Sequence, residues 1–124
     1  MNALIIMAHG SRRTSANQEF LDLVNRIGQN QTHFQVTLGA FLEQSSPTLM
    51  QACEQAIKEG HDNITIYPLF FNCGRHVEKD IPIQVSEVMS HFESCKISLL
   101  PYFGSSEGLA GLVVEHLNEL IETE

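Results

Sequence analysis

Four short apolar segments alternate along the chain with four longer segments in which apolar residues recur every three or four positions. The apolar segments are residues 3–8, 34–42, 64–67 and 96–100. Such runs are typical of buried parallel strands, and the segments after them are typical of amphipathic helices. The alternation predicts an α/β fold with a four-stranded, mostly parallel sheet in the order 2-1-3-4, right-handed crossovers and helices on both faces.

Capping residues indicate where the predicted helices begin and end. Ser15 opens a capping-box pattern at the start of the first helix, and Gly28 is expected at its end. Ser46 and Pro47 are predicted to be the N-cap and the first residue of the second helix. Gly60 is expected to end that helix.

The chain is short and acidic, with 124 residues and a formal net charge of -8. That length is typical of one domain, so residues 1–124 are predicted to fold as a single unit. An acidic chain lacks the cations that phosphate backbones require, so nucleic acid is not expected as a partner. No apolar run is long enough to cross a bilayer or to act as a secretory leader, so we expect a cytoplasmic protein with no membrane partner.

The cysteines and four of the histidines are not expected to form a site of their own. Cys53, Cys73 and Cys95 have no CxxC spacing, which argues against a disulfide framework and against structural zinc. Four isolated histidines are expected at the surface, namely His33, His61, His91 and His116.

Polar side chains follow the first three predicted strands. His9 comes directly after the first strand, Glu43 after the second, and His76 a few residues beyond the third. In the order 2-1-3-4 the carboxyl ends of these strands are neighbours, so the three side chains are predicted to converge. Two imidazoles and a carboxylate can bind Zn²⁺, Fe²⁺, Co²⁺ or Ni²⁺ with a position left open for substrate, and they can equally relay protons. From the residues alone, both functions remain open.

The cations are unevenly distributed along this acidic chain. Four of the seven lysines and arginines flank the histidine-bearing loops, namely Arg12, Arg13, Arg75 and Lys79. Cations gathered at one place in an acidic protein indicate an anionic ligand. A phosphoryl-transfer enzyme would also use such a site, but the chain has neither GxxxxGK[ST] nor GxGxxG.

Three segments resemble the signature segments of the small sirohydrochlorin chelatases, which include cobaltochelatases of cobalamin biosynthesis and ferrochelatases of sirohaem synthesis. The segments are AHGSR at 8–12, FLE followed by proline within 41–47, and PLFFNCGRHVEKDIP at 68–82. The resemblance extends in order over nearly the whole chain. It implies a class II chelatase fold, with residues 1–124 as half of a two-lobed chelatase, and a lyase-class enzyme that works as a homodimer.

The resemblance also implies roles for individual residues. His9 matches the proton acceptor and metal-binding histidine, Glu43 the carboxylate that faces the macrocycle, and His76 the second metal ligand. The metal, Co²⁺ or alternatively Fe²⁺, is expected as a substrate, and no cofactor is required. The implied substrate contacts are Ser11, Arg12, Glu43, Phe71, Asn72, Cys73, Gly74 and Arg75. Cys73 is expected as a small residue beneath the ring rather than as a soft ligand. The alternative to an enzyme is a carrier of metal or tetrapyrrole.

Overall fold

The computed structural model describes residues 2–72 and 74–122, except for the side chain of His76. Strands β1 to β4 are Asn2–Ala8, Val36–Phe41, Asn63–Pro68 and Lys96–Leu99. Helices α1 to α4 are Thr14–Asn30, Leu49–Lys58, Ile81–His91 and Leu109–Glu122. A single π-helical turn, His76–Asp80, precedes α3, and a 3-10 turn, Phe103–Ser105, precedes α4.

The four strands are parallel and lie in the order β2-β1-β3-β4, which confirms the predicted order. In the middle of β1, Ile5 is paired with Leu38 on one side and with Ile66 on the other. The apolar run of β1 is buried on both faces because it is a central strand with helices above and below. This order places the carboxyl ends of β1, β2 and β3 side by side.

Helices α2 and α3 cover one face of the sheet. Ile5, Met7 and Ile66 from the strands pack there against Cys53 of α2 and Val88 of α3. These side chains are almost completely removed from water. Each large apolar side chain buried in this way contributes about 1.5–3 kcal/mol, so this layer is the main core of the protein.

Helix α1 covers β1 and β2 on the opposite face, which confirms helices on both sides of the sheet. A methyl group added at Gly39 of β2 would lie 2.8 Å from a Leu21 side-chain carbon and 3.4 Å from one of Val24. Phe20 and Phe41 meet edge to face with ring centroids 5.4 Å apart. A glycine in β2 therefore lets α1 approach the sheet closely.

Helix α4 differs from the other three helices in its packing. It buries none of its described residues against the rest of the chain. The apolar stripe of α4 is therefore exposed in the isolated chain.

No helix within residues 2–72 and 74–122 combines the length and the apolar content needed to cross a bilayer.

The predicted ends of α1 are wrong. Ser15 lies inside the helix, because the N-cap is Arg13, whose side chain makes no capping hydrogen bond. The helix also continues past Gly28 to Asn30. A methyl group at Gly28 would lie 3.1 Å from the Cβ atom of Thr37, so this glycine permits close helix–strand packing instead of ending the helix.

The predicted start of α2 is also wrong by two residues. The N-cap is Thr48 instead of Ser46, and Thr48 forms a capping box with Gln51, whose backbone N–H donates to the threonine hydroxyl at 3.2 Å. Pro47 lies before the helix. Its carbonyl accepts a hydrogen bond of 2.8 Å from the backbone N–H of Phe41, which keeps the proline beside the end of β2.

His61 is buried, with 7% of its surface exposed, so its predicted surface position is wrong. Gly60, at φ +93°, ends α2 as predicted and turns the chain back on the helix. The backbone N–H of His61 then donates to the carbonyl of Ala56 at 3.0 Å. This arrangement is a Schellman motif, which directs the residue after the glycine towards the helix. Within the described residues, Nδ1 of His61 is buried without a hydrogen-bond partner.

Cysteine labelling tests the main core. Burial, with a smaller contribution from nearby Cys95, raises the pKa of the Cys53 thiol to about 12. We predict that iodoacetamide modifies half-buried Cys95 at neutral pH but leaves Cys53 intact until the chain is unfolded in urea. Peptide mass spectrometry checks this prediction, with Cys95→Ser as the control that removes the more accessible of the two cysteines that the structure describes. Equal labelling of both thiols in the native protein would contradict the packing.

Candidate metal and proton-transfer site

The candidate site lies at the carboxyl ends of β1 and β2, where the backbone pairing continues beyond the strands. The N–H of Leu42 donates to the carbonyl of Ala8 at 2.9 Å, and the N–H of Glu43 donates to the carbonyl of His9 at 3.0 Å. Parallel pairing therefore fixes the backbone of His9 and Glu43 side by side. The predicted convergence of these two residues is confirmed.

The side chains of His9 and Glu43 are in direct contact. His9 Nε2 lies 2.9 Å from Glu43 Oε1, and His9 Nδ1 lies 3.0 Å from the carbonyl oxygen of Gly10. The carbonyl of Gly10 and the ionised carboxylate of Glu43 are both hydrogen-bond acceptors. The imidazole therefore donates to both only when each of its two ring nitrogens carries a proton. The arrangement can hold a proton at Nε2 and exchange it with a neighbouring group.

Solvent reaches both members of this pair. The side chains of His9 and Glu43 are 42% and 48% exposed. An external ligand can therefore contact Nε2 and the carboxylate without unfolding any part of the sheet. Such a position is typical of binding sites in open α/β sheets, which lie beyond the carboxyl ends of neighbouring strands.

Gly10 permits the close approach of the two loops. It has φ +99°, in the left-handed region that favours glycine. A Cβ atom at this position would collide with the carbonyl oxygen of Glu43. The glycine is therefore required by backbone conformation and by contact with the loop that carries the carboxylate.

Ser11 is held in place by Asn17, a residue that sequence reasoning missed. The N–H of Ser11 donates to Asn17 Oδ1 at 2.9 Å, and Asn17 Nδ2 donates to the carbonyl of Ser11 at 2.8 Å. The hydroxyl of Ser11 accepts a bond of 3.0 Å from the N–H of Arg13. The feature of the sequence that indicates this contact is an amide side chain one turn into α1, where it can reach back to the loop.

The loop after β3 is supported by the turn before α4, which sequence reasoning also missed. The N–H of Gly104 donates to the carbonyl of Phe70 at 2.8 Å. A Cβ atom on Gly104 would collide with the carbonyl oxygen of Phe71. The rings of Phe71 and Phe103 meet edge to face with centroids 5.8 Å apart. In the sequence, only the glycine after the fourth strand, Gly104, indicated this contact.

The segment that carries His76 is connected to the site by Gln84 of α3. Gln84 Nε2 donates to the carbonyl of Leu42 at 3.0 Å, directly before Glu43. The side chain of His76 and the whole of Cys73 lie outside the described residues, so their roles remain predictions. Among the side chains that are described, no group of three from His, Cys, Asp and Glu is arranged to hold a metal ion. His9 and Glu43 thus supply two potential ligands.

The remaining residues predicted to contact substrate are exposed. Phe71 is 68% exposed, and no atom of the described residues lies within 4 Å of the position that a Cβ atom would take on Gly74. Other exposed residues of these loops include Arg12, Arg13, Asn72, Arg75 and Lys79, together with the carboxylate of Glu78. The loops around His9 therefore present four cations, the carboxylate of Glu78 and the ring of Phe71 to solvent.

Comparison with known proteins identifies related sequences. The sequence profile of the CbiX family matches residues 3–120. The chain is 29% identical to the sirohydrochlorin ferrochelatase of Priestia megaterium over 119 residues, which cover 96% of this chain and 44% of that protein. It is 24% identical to the sirohydrochlorin cobaltochelatase of Sulfurisphaera tokodaii over 123 residues, which cover 99% of this chain and 97% of that protein. The chain thus spans less than half of the first relative and nearly all of the second.

Two solved structures share the fold. A cobalamin-biosynthesis CbiX protein of Marinobacter aquaeolei VT8 superposes with a TM-score of 0.86 over the full length of both chains, at 23% identity. SirB from Bacillus subtilis with Fe³⁺ superposes with a TM-score of 0.84 at 27% identity, covering 96% of this chain and 47% of that one. The predicted chelatase-like α/β fold is confirmed.

Substitution of Gly10 tests the geometry of the site. We predict that Gly10→Ala lowers the free energy of unfolding by about 2 kcal/mol or more, because the left-handed backbone and the collision with Glu43 both oppose a side chain. Urea denaturation measures the loss. Gly74→Ala is the matched control, because its added methyl group would meet no described neighbour within 4 Å. Equal stability of Gly10→Ala and the wild type would contradict the close contact of the loops.

Proposed function

The chain belongs to the CbiX family of tetrapyrrole metal chelatases, and we propose that it inserts a divalent metal ion into sirohydrochlorin without a nucleotide cofactor. The observation that carries this proposal is the 2.9 Å contact between His9 Nε2 and Glu43 Oε1 at an open edge of the sheet. Insertion removes two pyrrole protons as the ion enters, so a metal ligand and a base are needed in one place. The pair offers both.

His9 is proposed to alternate between proton acceptor and metal ligand. Two ligand atoms that lie about 2.0–2.1 Å from one ion at a right angle are about 2.9 Å apart, which is the spacing of Nε2 and Oε1. A divalent ion can thus replace the shared proton without a large movement. As the ion passes to the macrocycle, Nε2 is again able to accept one of the two pyrrole protons, and the solvent-exposed carboxylate of Glu43 is able to accept the other. His76 is proposed as the second metal ligand.

The exposed loops are proposed to hold the macrocycle. Sirohydrochlorin carries several carboxylates, and guanidinium and ammonium groups bind carboxylates through charge-assisted hydrogen bonds. The exposed ring of Phe71 offers an apolar surface for a flat ring. The proposed contacts are Ser11, Arg12, Glu43, Phe71, Asn72, Cys73, Gly74 and Arg75, with Arg13 and Lys79 nearby.

Co²⁺ is the proposed metal, with Fe²⁺ as the alternative. The choice of Co²⁺ is supported by how much of each relative this chain matches. The cobaltochelatase of S. tokodaii is matched over 97% of its length, whereas the ferrochelatase of P. megaterium is matched over 44%. Imidazole and carboxylate ligands suit both ions, so the donor atoms themselves do not favour either. The proposed working form is a cytoplasmic homodimer in which residues 1–124 form one domain.

Replacement of the histidines tests the mechanism. We predict that His9→Ala reduces insertion to the spontaneous rate while the fold is retained, since the ligand and base are lost together. His76→Ala is expected to raise the metal concentration needed for half-maximal rate. The measurement is the anaerobic absorbance change of sirohydrochlorin with Co²⁺ or Fe²⁺ and catalytic amounts of protein. His33→Ala, at an exposed position in the loop before β2, is the control and should match the wild type.

Two results would count against this mechanism. Wild-type turnover by both His9→Ala and His76→Ala would remove these residues from the reaction. A spectral change that saturates at one tetrapyrrole per chain, without turnover, would show a carrier instead of an enzyme.

Ionic strength tests the role of the cations. We predict that raising the salt from about 0.05 M to about 0.5 M increases KM for sirohydrochlorin several-fold with little change in kcat, because exposed charges are screened. Arg12→Gln should raise KM at low salt and weaken this dependence. Lys58→Gln is the control, since Lys58 is exposed at the far end of α2. A KM that is independent of salt would contradict carboxylate binding by these loops.

A further inference from the structure

The peptide group that joins Leu42 to Glu43 is hydrogen-bonded on both of its sides. Its N–H, which belongs to Glu43, donates to the carbonyl of His9 at 3.0 Å. Its carbonyl, which belongs to Leu42, accepts a hydrogen bond of 3.0 Å from Nε2 of Gln84. The loop after β1 thus holds one side of this group and helix α3 holds the other. The backbone from which the Glu43 side chain extends is therefore fixed in orientation.

The carbonyl of Leu42 needs the hydrogen bond that Gln84 donates. Leu42 is 7% exposed, and a buried backbone carbonyl without a hydrogen bond costs free energy. Gln84 is half-buried in the first turn of α3, and it is 42 positions away from Leu42 in the sequence. The hydrogen bond is thus a tertiary contact between α3 and the loop that carries the carboxylate.

Apolar packing between α3 and this loop is incomplete. A cleft with a volume of about 210 Å³ lies beside the hydrogen bond. Its walls include Leu42, Leu49 and Met50 of α2, and Gln84 and Val88 of α3. Apolar contacts tolerate small movements, whereas a hydrogen bond weakens steeply outside a narrow range of distance and angle. The bond from Gln84 therefore sets the separation of α3 and the loop more sharply than the side chains around it.

Helix α3 also follows directly from the other half of the candidate site. The π-helical turn His76–Asp80 leads into α3 without a break, and Gln84 lies in the first turn of that helix. We propose that Gln84 is a positioning residue that holds the Glu43 carboxylate beside His9 Nε2 and sets its distance from the turn that carries His76. The proposal rests on the function proposed above, and it gives Gln84 a role that is exerted through the backbone of Leu42.

The exposure of Glu43 explains why such support is needed. Its side chain is 48% exposed, so water competes with His9 for the carboxylate. The 2.9 Å spacing of the pair is therefore maintained mainly by the backbone beneath it. Groups that orient the ligands of a metal ion from outside typically change its affinity by about 10- to 100-fold when they are removed.

Removal of the amide tests this role without turnover. Gln84→Leu keeps the bulk of the side chain but cannot donate a hydrogen bond. We predict that it binds Co²⁺ about 10-fold more weakly than the wild type in the absence of tetrapyrrole, as measured by isothermal titration calorimetry. In turnover, kcat should fall by a similar factor with little change in KM for sirohydrochlorin, because the exposed cations of the loops are untouched.

Gln31→Leu is the matched control. Gln31 Nε2 also donates to a backbone carbonyl, that of Phe34 at 2.8 Å, but this bond lies at the opposite end of the sheet, before β2. Each variant loses a bond between a side chain and the backbone, so both should be destabilised in urea. The Co²⁺ affinity and kcat of Gln31→Leu should equal those of the wild type. A loss of affinity confined to Gln84→Leu therefore separates positioning from a general weakening of the fold.

A second variant at this position restores the hydrogen bond in acid. Gln84→Glu has nearly the same shape, and its carboxyl group donates to Leu42 only when it is protonated. An acidic residue in the first turn of a helix is favourable, so we expect this variant to fold. The charges of Glu87 in the same cleft and of Glu43 favour protonation of the new group. We predict that the ratio of its kcat to that of the wild type rises several-fold from about pH 8 to about pH 5.

The outcomes distinguish this role from the chelatase function. Wild-type Co²⁺ affinity and kcat in Gln84→Leu would overturn the positioning role and leave the chelatase proposal intact. An equal loss of affinity in Gln84→Leu and Gln31→Leu would overturn it as well, and so would a kcat ratio of Gln84→Glu that does not change with pH. If the wild type binds Co²⁺ without turnover, the chelatase proposal fails, and the calorimetric comparison still decides the role of Gln84.

Discussion

The hydrogen-bond pairing of β1 with β2 is the interaction on which the candidate site depends. It does not end with the strands, because two further backbone bonds connect Leu42 to Ala8 and Glu43 to His9. The imidazole and the carboxylate are therefore positioned by backbone already fixed in the core, and no separate element is needed to bring them together. This arrangement requires a glycine at position 10, since a side chain there would push the two loops apart. A site held in this way is preorganised for its ligand.

The fold and the His9–Glu43 pair followed from the sequence because both depend on patterns that are strong and local. Residues 3–8 of β1 are all apolar, which is typical of a central strand, and the strand order then placed the two residues side by side. The N-cap of α2 was harder to predict. Thr48 and not Ser46 caps the helix, because a hydrogen bond between Pro47 and Phe41, which the sequence does not reveal, keeps Pro47 beside β2. Differences of one or two residues at helix ends depend on tertiary contacts of this kind.

Two other features depend on partners that a sequence pattern does not specify. The burial of His61 follows from the turn at Gly60, which returns the chain to its own helix, and a lone polar residue gives no sign of this. Helix α4 carries a clear apolar stripe. Such a stripe predicts that the face is covered but not by what. The supporting contacts of Gly104 and Gln84 are likewise made with backbone groups distant in sequence.

The central claim is that one nitrogen, His9 Nε2, shares a proton with Glu43 and also binds the incoming metal. The most direct test is a titration of ¹⁵N-labelled protein with Co²⁺ in the absence of tetrapyrrole, followed through the NMR signals of the imidazole nitrogens. The account predicts that the Nε2 signal of His9 shifts or broadens by one equivalent of metal, before the signals of exposed His33, His91 and His116. An unchanged His9 signal, with Co²⁺ bound elsewhere on the chain, would contradict it.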